Sequence, residues 1–162
     1  MDIEDEEIIA LWKTLNKYNV QYIMIGGFAT NMHGYYRTTS DIDLWLNDTK
    51  ENRSNLGSAL EELNISTKEI IERYQFIPGW SMMNLMSGFP LDIMTKVKGL
   101  ENISFEECFS YALKVKIDGT IVSFLHINHL IASKKAANRP KDQIDVIALE
   151  EIQKERENLG RP

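Results

Sequence analysis

Disulfide chemistry is the first thing this sequence lacks. Cys108 is its single cysteine, so no internal bridge can form and nothing points to an oxidising compartment. Long apolar runs are missing as well: none approaches the roughly 20 residues that a membrane-crossing helix requires, and no membrane partner is expected. The opening MDIEDEEII is acidic, without the basic flank and apolar core of a secretory signal, so the expected location is the cytoplasm. Positive charge is in deficit. Eighteen Lys and Arg stand against 24 Asp and Glu, a net charge of −6. That argues against a surface gripping long nucleic acid everywhere, because phosphate binding depends on displacing counterions with cations. Cysteine and histidine clusters of the kind that hold zinc are absent too, since His33, His126 and His129 are not spaced as ligands and read as structural. What remains is a chain of 162 residues, 43% hydrophobic, enough to bury one proper core. We expect residues 1–125 to form that core and residues 126–162 a helical subregion packed on the same domain.

The hydrophobic pattern predicts an alternation of helices and strands. An amphipathic helix covers about residues 4–17, with Ile8, Trp12 and Leu15 on one face, acidic residues in its first turn, and Asn19 as a left-handed stop. Val20 to Ile25, VQYIMI, reads as a strand covered on both faces and ends at Gly26 and Gly27. A short helix from Phe28 to His33 closes on Gly34. The next strand, Asp41 to Leu46, alternates: Ile42, Leu44 and Leu46 take one face, Asp41, Asp43 and Trp45 the other. Asp48 with Glu51 resembles a capping box opening a helix to about Leu63, and Ser66 with Glu69 repeats the signal before a helix ending near Tyr74. Strands at Ser81 to Met86 and Leu91 to Lys96 join through Ser87, Gly88, Phe89 and Pro90. In the second of these, Asp92 projects opposite to Leu91 and Ile93. A helix over Phe105 to Ala112 capped by Ser104, a hairpin about Asp118-Gly119, and helices over about 127–137 and 140–157 complete the chain. The expected class is α+β, a mixed central sheet with helices packed against one face.

Few stretches suggest chemistry, and most of them lie between Gly26 and Leu46. Asp41 and Asp43, at i and i+2 on one strand face, converge closely enough to share a divalent cation. With a third carboxylate they would hold two cations about 3.5 to 4 Å apart. Asp92 is the natural third if its strand neighbours theirs. Asp is disfavoured in strands, so two in a short one and an isolated third in a later apolar one stand out. Three hard oxygen ligands suit Mg²⁺, which keeps waters and recruits substrate phosphates. Gly26 and Gly27, between a buried strand and a helix, would let backbone N–H groups approach an anion. Arg37, four residues before Asp41, could pair with a carboxylate or reach a phosphate. Asp142 and Asp145 share one face of the last helix beside Lys141 and read equally as a salt-bridged closure. Trp80, Met82, Met83 and Met86 could line a pocket, although such residues in a strand are more often core. Cys108, on an apolar helix face, reads as inert.

The stretch GGFATNMHGYYRTTSDIDLWL resembles the signature of the nucleotidyltransferase superfamily, the fold of DNA polymerase beta, in which a glycine turn precedes a D-x-D strand and a later strand supplies a third aspartate. The C-terminal LIASKKAANRPKDQIDVIALEEI is similar to the helical ending of small bacterial members related to abortive-infection toxin nucleotidyltransferases. The resemblance implies transfer of a nucleoside monophosphate from an NTP, ATP among them, to a hydroxyl acceptor on tRNA, a protein or a small molecule, with release of pyrophosphate. Asp41, Asp43 and Asp92 would be the catalytic carboxylates and the ligands of two Mg²⁺ ions, with Mn²⁺ as an alternative. Asp92 would also help deprotonate the attacking hydroxyl. Gly26 and Gly27 would cradle the triphosphate, and Lys134 would contact its β and γ phosphates. The superfamily commonly carries Ser where this chain has Gly27, so backbone amides, or Thr39 and Ser40, would supply that contact. A cognate antitoxin is a further expected partner. The alternative reading is a catalytically silent nucleotide-binding or partner-binding module of a toxin–antitoxin pair.

Overall fold

The computed structural model describes residues 5–73 and 80–159. Its first element, α1 (Glu6–Lys17), is capped by Asp5, whose carboxylate accepts the Glu7 N–H at 3.0 Å, and buries Ile8, Leu11, Trp12 and Leu15. It stops at Asn19, which adopts φ 53°, the left-handed conformation that asparagine tolerates best after glycine. The following strand β1 (Tyr22–Met24) is shorter than the apolar run that announces it, because α2 (Gly26–Met32) begins on the glycines themselves rather than at Phe28. Next come β2 (Ile42–Leu46), α3 (Lys50–Glu62) and α4 (Lys68–Arg73). The cap of α3 is Thr49, whose hydroxyl accepts from Asn52 N–H at 3.1 Å; Asp48, the expected cap, pairs instead with Arg53. The expected end of the fourth helix near Tyr74 lies outside the described residues.

The second half of the chain supplies β3 (Trp80–Asn84), β4 (Pro90–Met94), α5 (Phe105–Tyr111), β5 (Leu113–Ile117), β6 (Thr120–Phe124), α6 (Ile127–Ala137) and α7 (Pro140–Asn158). Asp118 and Gly119 both have positive φ, 43° and 82°, as a two-residue hairpin turn whose twist matches the strands demands. Ser104 accepts the Glu107 N–H and opens α5. Asn138, at φ 52°, ends α6, and Pro140 occupies the first turn of α7, where its missing N–H costs nothing.

Six strands form one mixed sheet in the order β3-β4-β2-β1-β6-β5. Strand β2 runs antiparallel to β1 and parallel to β4, and β1 runs parallel to β6. The register places Asp43 directly beside Asp92. An aromatic hub ties α1 and α2 to the sheet: Trp12 meets Phe28 and Phe124 edge-on, with ring centroids 6.2 and 6.4 Å apart. The acidic face of β2 is not bare. Trp45, on the side of Asp41 and Asp43, is buried edge-on against Phe105 at 5.4 Å, so α5 covers part of this second face and the expectation of helices on one face is corrected. Met82 and Met86 are exposed, while Met83 is partly buried against the core; the Trp80 side chain lies outside what is described. Among the described residues, no helix is long and apolar enough to cross a membrane.

Candidate functional site

Strand pairing brings the aspartates together. Parallel neighbours in register project their side chains to the same face, so Asp43 and Asp92 stand side by side, with Asp41 two residues earlier in the bend that leads into β2. Each contributes a carboxylate oxygen to a group whose members all lie within 4.8 Å of one another. This gathering has an electrostatic cost. Burial, and then the charges of Asp41 and Asp92, push the Asp43 carboxyl up to about 6 from its ordinary 3.8. Three hard oxygen donors held close, one of them reluctant to ionise without a positive neighbour, fit a divalent cation of the magnesium type.

The glycine turn lies against this triad. Ile25 N–H donates to the Asp43 carbonyl at 3.0 Å, which ends β1 beside the acidic strand. Gly26 then turns at φ 62°, and a Cβ placed there would fall 1.9 Å from Asp43 Oδ2. Gly27 is small for a separate reason. A Cβ on it would meet Thr39 Oγ1 at 2.3 Å and Thr39 Cβ at 2.6 Å. The Thr39 side chain therefore fills the space beside Gly27, and its hydroxyl donates to Asp41 Oδ1 at 3.1 Å.

A cleft of about 700 Å³ opens over the triad, a size ordinary for a small-molecule site. The sheet and glycine turn form one wall, with Gly26, Gly27, Asp41, Asp43 and Asp92. The other wall comes from α6 and the start of α7, with Lys134, Arg139, Lys141 and Asp142, and Arg37 also faces the opening. Thr39 is buried and Ser40 exposed, and neither lines the cleft. The segment after β4 closes one end through Lys96, Val97, Lys98 and Glu101. No sequence motif marks that segment. Its nearest signal is Gly99, at φ 84°, where a Cβ would lie 2.8 Å from both the Ala132 carbonyl oxygen and Ala136 Cβ; the loop packs against α6 at backbone distance.

The cations of the second wall are held by two fully buried carboxylates of α7. Arg37 grips Asp145 with two bonds, Nε to Oδ1 at 2.7 Å and Nη2 to Oδ2 at 2.9 Å. Lys134 Nζ donates to the same Oδ2 at 2.6 Å and lies 3.8 Å from Asp142 Oδ1. Arg139 donates to Asp142 Oδ2 at 2.6 Å. Burial alone would raise both carboxyls, but the bonds from Arg37 and Lys134 hold Asp145 below the usual range, and Arg139 does the same for Asp142. The structure thus brings Gly26, Gly27, Arg37, Asp41, Asp43, Asp92 and Lys134 to one cleft. Cys108 is buried on α5, and His33 is buried with Nε2 2.8 Å from the Leu125 carbonyl oxygen.

The model of a family described as nucleotidyltransferase of unknown function (DUF6036) matches residues 2–155. Among curated proteins none matches by sequence. Solved structures do match by fold. The lincosamide antibiotic adenylyltransferase LnuA, with lincomycin bound, has a TM-score of 0.63 at 13% identity over 94% of this chain and 99% of that one. ANT(2″)-Ia in complex with adenylyl-2″-tobramycin gives 0.60 at 17% identity, over 90% of each chain. An antigenic nucleotidyltransferase-like protein from Paracoccidioides brasiliensis gives 0.53 at 16% identity, over 90% of this chain and 76% of that one.

Proposed function

The chain belongs to the DUF6036 nucleotidyltransferase family, and from that premise we propose that it transfers a nucleoside monophosphate from an NTP to a hydroxyl acceptor in a reaction that depends on divalent metal. One observation carries this reading: Asp43 and Asp92 are paired in register on adjacent parallel strands, with Asp41 beside them, on one wall of a cleft whose facing wall is basic.

Asp41, Asp43 and Asp92 would hold Mg²⁺, with Mn²⁺ as a substitute. Bound there, the ions would stabilise the attacking and leaving oxygens of an in-line displacement. The backbone at Gly26 and Gly27 lets the triphosphate come close to the sheet edge, where a side chain would collide with Asp43 or Thr39. Arg37 and Lys134 face the β and γ phosphates from across the cleft. Asp92, at the far side of the triad from Gly26, takes the proton of the acceptor hydroxyl as its oxygen attacks the α phosphorus. The bond from that phosphorus to the bridging oxygen breaks, and pyrophosphate leaves. A small hydroxyl-bearing molecule is the favoured acceptor, because this chain spans 99% of one structural neighbour named as an antibiotic adenylyltransferase and 90% of another solved with an adenylylated antibiotic.

The test is transfer of label from each of the four α-³²P NTPs, with Mg²⁺, to a panel of hydroxyl-bearing small molecules and to a bacterial lysate. Transfer that EDTA and Asp43→Asn both abolish is the expected outcome. No transfer from any NTP, with nucleotide binding retained, would replace catalysis by a silent binding module.

A further inference from the structure

We propose that Asp145 is a positioning residue for the nucleotide: a buried carboxylate that fixes the directions in which Arg37 and Lys134 meet the triphosphate. The proposal rests on the NTP reading above and adds to it a residue that does not itself face the cleft.

Asp145 is fully buried on α7, and both of its oxygens are used. Oδ1 accepts from Arg37 Nε; Oδ2 accepts from Arg37 Nη2 and from Lys134 Nζ. Those two cations come from separate places, Arg37 from the loop between α2 and β2 and Lys134 from α6, and both line the cleft while Asp145 does not. An ammonium group carries three donors and a guanidinium five, so each keeps N–H groups for a ligand after Asp145 has taken its share. Arg37 uses another on the Thr38 carbonyl at 3.0 Å, which further fixes its plane. Long cationic side chains otherwise sample many rotamers, and pre-orienting them removes that entropy from the binding step.

The proposal predicts an effect opposite in sign to plain electrostatics. Removing a negative charge near a phosphate site should, by Coulomb attraction alone, tighten phosphate binding. Loss of positioning should weaken it. Magnesium tripolyphosphate, which carries no base, is the probe, titrated by calorimetry into the full chain, with Mn²⁺ affinity measured in parallel by electron paramagnetic resonance. Asp145→Asn is expected to weaken tripolyphosphate binding at least about tenfold while Mn²⁺ affinity at Asp41, Asp43 and Asp92 stays within about twofold. Equal or tighter tripolyphosphate binding would overturn the proposal and leave the NTP reading intact. Wild-type chain that binds neither tripolyphosphate nor any NTP would sink that reading and the proposal with it. Because Asp145→Asn leaves two cations short of a buried partner and can unfold the chain, the charge-balanced pair Arg37→Gln with Asp145→Asn is the second variant. It should bind the probe more weakly than Arg37→Gln alone, through the misplaced Lys134. Binding equal to that of Arg37→Gln, or loss of Mn²⁺ and tripolyphosphate affinity together in both variants, would show a merely structural role.

Discussion

The substitution Asp43→Asn should abolish activity and yet stabilise the metal-free chain. In the folded protein the Asp43 carboxyl titrates near 6, against 3.8 ordinarily, because it is buried and because Asp41 and Asp92 repel its charge. The folded chain therefore holds this proton more tightly than the unfolded chain does. Its contribution favours folding below about pH 4, is lost as the pH rises from about 4 to about 6, and leaves the ionised group as a constant burden above that. The gap between 3.8 and about 6, at roughly 1.4 kcal/mol per pH unit, amounts to about 3 kcal/mol at neutral pH. An asparagine side chain has nearly the same shape and no charge, so up to that amount returns as stability. For a chain of this length it corresponds to a rise in Tm of roughly 6 to 12 °C. Urea or thermal unfolding of both proteins in EDTA at pH 7.5 and at pH 4.5 measures it. The variant should be the more stable at pH 7.5, and the gap should shrink at pH 4.5, where the wild-type carboxyl is largely protonated. Adding Mg²⁺ at pH 7.5 should raise the wild type and leave the variant nearly unmoved, since a ligand that binds only the folded state stabilises it by mass action. A variant no more stable than wild type in EDTA at pH 7.5, or a gap independent of pH, would refute the account of how the triad is held.

Gly27→Ala should destabilise the chain by about 1 to 3 kcal/mol through overpacking, because its Cβ would lie 2.3 Å from Thr39 Oγ1. Thr39→Ala should fail to relieve it, since the Thr39 Cβ is itself 2.6 Å away, whereas Thr39→Gly should relieve it in a double-mutant cycle read by urea midpoints. Cys108, buried and with its thiol pushed up to about 11, should resist a thiol-specific reagent at pH 8 and react only as urea unfolds the chain; reaction at the rate of a small thiol in buffer would contradict its placement. Lys13→Ala should cost less than about 1 kcal/mol in urea unfolding, because the ion pair with Asp118 is solvent-exposed.

Much of the sheet was legible because its information is local. Alternation along Asp41 to Leu46 put both carboxylates on one face, and the turn residues at 87–90 and 118–119 marked their hairpins. What strict alternation could not reveal was coverage. Trp45 is buried on the acidic side because α5, some sixty positions along, folds back over that face, and no property of β2 announces it. The cap of α3 was misplaced by one residue for a different reason: Asp48 and Thr49 are both good caps, and Arg53 captures the first. Behind the cleft wall, the pairing of Arg37 with Asp145 joins residues 108 apart, so their spacing carries no periodic signal. The compensation at Gly27 was hidden likewise. That Thr39 fills the space a side chain at 27 would need depends on how a loop returns to the end of β1.

Gly99 gives the cleft a dimension that its charges do not. Where the loop after β4 crosses α6, the spacing is set by two of the smallest residues available, Gly99 on one side and Ala136 on the other, with the Ala132 carbonyl beside them. Neither bears a reactive group, yet together they act as a shim. A side chain at 99 would meet the Ala132 carbonyl oxygen and the Ala136 Cβ at 2.8 Å, so a chain that kept every aspartate, lysine and arginine but enlarged this one residue would force the loop and the helix apart.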